Sequence, residues 1–220
     1  EDKEMGMFSR KDMVRLFGPL LVEQLLAVLV GMADVVMVAA VGETAVSGVA
    51  LVDSISVLVI QVLSAMATGG AVVCAQYIGK KRQDQACRAA GQLVLITAVL
   101  SLLIASAAFI GNRHLLRLIF GSVETEVMDN AATYFWFTAM SYPFLALYNS
   151  GAALFRSMGN SKVSMKVSLA MNAINVAGNA LCVFGFRMGV EGVAIPTLLS
   201  RMFAAVVMVL LVRSPKNSIR

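Results

Sequence analysis

The sequence predicts an all-α membrane protein, a bundle of six transmembrane helices. Two observations carry this. The 220 residues are 59% hydrophobic and only 14% charged, with a mean hydropathy of +0.80, whereas soluble domains run near about 45–50% apolar and about 25% charged. Long windows without a single charge also recur along the chain, and a membrane helix needs roughly 20 mostly apolar residues. A soluble enzyme, a disordered tail and a fibrous repeat are therefore improbable.

Residues 1–15 carry mixed charge and read as a cytoplasmic lead-in. Arg10, Lys11, Asp12 and Arg15 suit a short amphipathic surface helix, or equally a solvated terminus. The first span covers about 16–42, interrupted only by Glu23 and Asp34, with Gly18-Pro19 opening it and Gly42 closing it. The second covers about 54–79 and the third about 89–112, both uncharged, separated by a basic cluster. The fourth, about 130–155, holds Pro143, where a missing hydrogen bond bends a helix. Gly159-Asn160-Ser161 is turn chemistry before the fifth span, about 167–186. The sixth, about 192–212, contains Arg201 and Pro196. Residues 213–220 read as the start of a cytoplasmic linker. Glu1 in first place suggests a processed start or a piece of a longer chain.

Orientation follows from the distribution of Lys and Arg. One side holds Lys3, Arg10, Lys11, Arg15, Lys80, Lys81, Arg82, Arg88, Arg156, Lys162, Lys166, Arg213, Lys216 and Arg220; the other holds only Arg113, Arg117 and Arg187. Both termini are expected in the cytoplasm, and a multi-pass protein of the cell membrane follows. The net charge of +5 then belongs to cytoplasmic loops and implies no nucleic acid.

No catalytic constellation is visible. There is no phosphate loop, no His-Glu-x-x-His and no nucleophile elbow. Cys74, Cys87 and Cys182 are too scattered for a zinc site or a disulfide framework. The single histidine, His114, falls in an outer loop. No enzyme activity and no cofactor are expected.

Polar groups inside the spans are the informative residues, because a charge there is costly and faces a cavity or a partner. Asp34 is the deepest carboxylate and the first candidate for exchanging a proton or pairing with a cation. The alternative is a structural acid paired to a neighbouring helix. Glu23 lies eleven residues earlier and can share its face, or simply reach the interface. Arg201 is a partner for Glu23 or a lipid-facing residue that snorkels. Asp53, at the outer start of the second span, reads as a helix-end acid. Asn172, Asn175 and Asn179 form one helical stripe, a polar lining or a set of interhelical hydrogen bonds. Gln61 and Asn149 are isolated interior polar residues with the same two readings.

Several strings in order resemble the multidrug and toxic compound extrusion family. They are Gly31-Met-Ala-Asp34-Val-Val-Met37, Ala45-Val-Ser-Gly-Val-Ala50, Ala75-Gln-Tyr-Ile-Gly79, Leu154-Phe-Arg-Ser-Met-Gly-Asn-Ser161 and Gly189-Val-Glu-Gly-Val-Ala-Ile195. Together the resemblance covers nearly all of residues 14–213. It implies a twelve-helix antiporter of two six-helix lobes, of which this chain matches the N-terminal one. It implies export of organic cations and drugs in exchange for H⁺ or Na⁺. It also implies an ion site at Asp34, Asn149, Asn175, the position of Asn179, and Thr197. Asn179 departs from the family pattern, which has an Asp there, so Asp34 is left as the main carboxylate, for H⁺ or a possible Na⁺. Pro19 matches the family's bending proline, and Glu23 stands as a possible replacement for the missing charge. Asp34, Gln61, Glu23 and Asn172 are the expected substrate-cavity residues. The expected partners are the bilayer, small cationic amphipathic substrates, and a second lobe or second copy. Two other readings are a lipid-linked oligosaccharide flippase of the same superfamily and a non-transporting scaffold or half-subunit. One intramembrane cation against two acids favours cationic cargo over a pyrophosphate.

Overall fold

The computed structural model describes residues 9–213. Most of the lead-in at 1–8 and most of the linker at 214–220 lie outside the described residues. The chain is a helical bundle: α1 (Arg10–Val41), α2 (Glu43–Gly79), α3 (Gln83–Ile110), α4 (Asn112–Phe120), α5 (Thr125–Ser157), α6 (Ser161–Ala180) and α7 (Glu191–Val212). A π-helical turn, Leu181–Gly185, extends α6. Helices α1, α2, α3, α6 with its π turn, and α7 are long and apolar enough to cross a membrane. Helix α5 is of spanning length, with 33 residues. It is less apolar because it carries hydroxyls and amides such as Thr138, Ser141, Tyr142 and Asn149.

That polarity has a structural reason. Helix α5 is the central element, packed against α2, α3 and α7. Its inward residues include Phe135, Ala139, Tyr142 and Ala146, all buried. A helix surrounded by protein tolerates hydroxyls that find partners there. Thr138 and Ser141 donate back to carbonyls of their own helix at 2.7 and 2.5 Å, and Tyr142 shares a 2.9 Å hydrogen bond with Ser56 of α2. Close approach of α2 and α5 depends on Gly48. A Cβ there would sit 2.8 Å from the Ala131 backbone nitrogen and 2.9 Å from the Asn130 Cβ.

The boundaries differ from expectation at several points. Arg10 to Arg15 are not a separate surface helix. They form the first turns of α1, capped by Ser9, whose hydroxyl accepts from the Asp12 amide while Asp12 accepts from the Ser9 amide. Pro19 does not open a helix. It lies inside α1, about two and a half turns past Arg10, where it has no N–H to donate to the Arg15 carbonyl. Helix α2 begins at Glu43, directly after Gly42, so the expected outer loop before residue 54 is helical. The connection between α3 and α5, expected on the outer side, contains α4, an amphipathic helix not anticipated. Its Leu116 is buried, its Arg113 pairs with Asp129 at 2.9 Å, and His114 is exposed.

Helix α1 is the least embedded. Among its residues only Met37 and Val38 are buried, and its main neighbour is α6.

Candidate functional site

The polar stripe of α6 meets the acid of α1. Asn179 Nδ2 donates to Asp34 Oδ1 at 2.8 Å and to Asn175 Oδ1 at 2.9 Å. Asn175 Nδ2 in turn donates to Thr197 Oγ1 of α7 at 3.1 Å. Thr197 donates to the Val193 carbonyl at 2.8 Å. One hydrogen-bonded chain thus runs from α1 through α6 to α7. Helix α7 comes near enough because Gly178 faces Pro196: a Cβ on Gly178 would lie 2.8 Å from the Pro196 Cβ.

This chain forms one wall of a cavity of about 320 Å³. The other walls include Asp53 of α2, Tyr134 and Leu145 of α5, Asn172 of α6, and Arg201 of α7. The charged residues of the lining are Asp34, Asp53 and Arg201. The Tyr134 hydroxyl donates to Asp53 Oδ1 at 3.4 Å, and Arg201 Nη1 donates to Ser141 Oγ at 2.6 Å. Asn179 is 1% exposed, and its Oδ1 is buried without a hydrogen-bond partner. The volume is ample for several waters or part of a small organic molecule, since one water's share of liquid volume is about 30 Å³.

Of the residues expected from sequence, Asp34, Asn175, Asn179 and Thr197 are brought together, and Asn172 lines the same cavity. Three others are placed elsewhere. Asn149 sits one turn past Leu145 on α5 and lines no part of the cavity; its Nδ2 is buried and unpartnered. Gln61 is exposed and off the cavity wall. It lies eight residues past Asp53, which turns it about 80° around α2. Glu23 is not in the cavity either. It accepts from the Tyr148 hydroxyl at 3.1 Å and from Ser164 Oγ at 3.3 Å, a separate clasp of α1 to α5 and α6. Ser161 Oγ donates to the Leu16 carbonyl at 2.9 Å and reinforces it.

Two expectations for charged residues are overturned. Asp53 is not a helix-end acid: α2 starts ten residues earlier, so Asp53 lies about 15 Å along the helix. Arg201 is neither a partner of Glu23 nor a lipid-facing residue; it lines the cavity. The signal for Asp53 was present, because no proline separates it from Glu43 and the apolar pattern continues on both sides of it. Tyr134 and Ser141 carried no comparable signal.

A protein-family model described as MatE matches residues 19–181. The chain is 27% identical over 215 residues to the uncharacterized transporter YisQ of Bacillus subtilis, covering 96% of this chain and 46% of that protein. It is 27% identical over 203 residues to the probable multidrug resistance protein NorM of Thermotoga maritima, covering 89% of this chain and 43% of that one. The fold is similar to an outward-facing multidrug resistance MATE family transporter of the MOP superfamily, with a TM-score of 0.88 at 20% identity, over 95% of this chain and 46% of the other. A MOP superfamily transporter from Pyrococcus furiosus, described as having reverse polarity of its binding pocket, gives the same values. The chain spans about half the length of the curated relatives it matches.

Proposed function

The chain belongs to the MatE family of membrane transporters, and from that premise we propose that it forms the N-terminal lobe of a secondary antiporter. The antiporter exports organic cations in exchange for H⁺ or Na⁺, and Asp34 is its main coupling carboxylate. The observation that carries this reading is the Asp34–Asn179–Asn175–Thr197 chain on the wall of a cavity that also holds Asp53 and Arg201 inside a helical bundle. A carboxylate at that depth is retained against an insertion cost of about 2.5–3.5 kcal/mol. It is held by an amide donor at one oxygen, so neutralising Asp34 with a cation weakens the charge-assisted hydrogen bond that docks α1 on α6. A ligand shifts a conformational equilibrium only through different affinities for the two states, and this weakening supplies the difference. The excess of cavity carboxylates over cavity cations favours cationic cargo over a lipid pyrophosphate.

The complete gene product in proteoliposomes tests the reading. Asp34→Asn is expected to abolish ethidium efflux driven by a pH or Na⁺ gradient while the protein still inserts. Efflux at the wild-type rate overturns the assignment. The Lys and Arg distribution supports cytoplasmic termini, so a cysteine placed at Lys81 is expected to react only from the cytoplasmic side. Labelling from outside the cell reverses the orientation.

A further inference from the structure

We infer that Asp53 is a second coupling carboxylate and that Arg201 is a built-in cation, which sets the demand of the cavity for an external one. The inference rests on the antiport reading above and goes beyond it by naming charges that Asp34 alone does not account for.

Asp34, Asp53 and Arg201 come from α1, α2 and α7 and line one cavity of about 320 Å³. No ion pair joins Arg201 to either acid among the described residues. Each of the three is held by a neutral partner instead: Asp34 by Asn179, Asp53 by Tyr134, and Arg201 by Ser141. A guanidinium has five N–H donors, and the Ser141 contact uses one of them. The buried Asn179 Oδ1 adds an acceptor with no donor beside it, which is the kind of oxygen a cation or a protonated group satisfies.

Charge counting then decides the stoichiometry. Two carboxylates and one guanidinium leave a net charge of −1, so one monovalent cation neutralises the cavity. An unbalanced charge in a membrane interior is strongly disfavoured, so the site must take up that cation or hold water around the excess. Asp53 supplies the second carboxylate of the cavity from α2, a helix other than those of Asp34 and Asn179. Tyr134 is the remaining titratable group on the wall.

The test is ethidium efflux by the complete protein in proteoliposomes, with H⁺ or Na⁺ varied. Asp53→Asn is expected to lower gradient-driven efflux at least tenfold, because Arg201 then neutralises Asp34 and no external cation is required. Asp53→Asn combined with Arg201→Met is expected to regain coupling, because Asp34 alone again carries −1. Arg201→Met alone is expected to lower the ion concentration for half-maximal efflux about tenfold, and Arg201→Lys, which keeps the charge, to shift it less. Wild-type behaviour of Asp53→Asn, or a double variant no better than Asp53→Asn, overturns the inference while leaving Asp34 in place. If Asp53→Asn does not fold, the Arg201→Met shift decides: a rise or no change overturns it. A wild-type protein that moves ethidium under neither gradient overturns the antiport reading itself.

Discussion

Asp34 and Asn179 stand 145 residues apart in sequence and are joined by a 2.8 Å hydrogen bond. The same Asn179 amide nitrogen also serves Asn175, so one side chain holds α1 to α6 and orders the stripe that continues to α7. Few α1 side chains are buried, and this bond, the Glu23 clasp and the Ser161–Leu16 hydrogen bond tie the helix to α5 and α6.

Asn179→Leu removes the donor shared by Asp34 and Asn175 and leaves two oxygens without it. An unsatisfied buried acceptor costs about 1–3 kcal/mol. The expected result is a lower unfolding midpoint in detergent and loss of gradient-driven efflux. An unchanged midpoint shows that water replaces the amide without loss.

Glu23→Leu deletes the acceptor of Tyr148 and Ser164, but both hydroxyls keep a carbonyl partner, at Ser164 and Ser161 respectively. The expected loss is therefore small, about 1 kcal/mol. Amide hydrogen exchange is expected to quicken in the first half of α1 and to stay unchanged near Asp34. Equal quickening along the whole of α1 contradicts two separate attachments.

Gly48→Val forces a side chain against the Asn130–Ala131 backbone of α5. Overpacking of this kind costs about 1–3 kcal/mol, and less folded protein is expected. Gly69→Ala, on the same helix with nothing within 4 Å of the new Cβ, is expected to be neutral. Comparing the two yields in detergent separates close approach from loss of glycine as such.

The first turn of α1, ahead of the expected span, is expected to respond to pH. Hydrogen bonds from the Ser9 side chain and amide hold the Asp12 carboxyl below its ordinary 3.8. A lowered folded value contributes stability above the unfolded pKa and loses it as pH falls through the folded one. The first turn is expected to stay protected from pH 7 down to about pH 4, near the ordinary carboxylate range, and to fray below it. Hydrogen exchange of the Met13 amide reads this out, and Asp12→Asn is expected to flatten the acid limb.

The class of molecule and most of its long helices are legible in the amino-acid order. Uncharged runs of bilayer length dictate helices because backbone groups in lipid must be satisfied internally. That order also singled out Asp34 as an acid inside a span and Asn172, Asn175 and Asn179 as one stripe, since spacing along one helix is a local property. Which helices face one another is visible only once the bundle is assembled. Asn149 and Gln61 read as interior polar residues, yet neither reaches the cavity, because a residue's depth says nothing of its direction around the axis. Asp53 and Arg201 read as peripheral, yet α2 and α7 turn both into the cavity. Whether an intramembrane charge meets lipid, a partner or an open site depends on the packing of helices distant in sequence, and here that packing rests on close contacts such as Gly48 against α5 and Gly178 against Pro196.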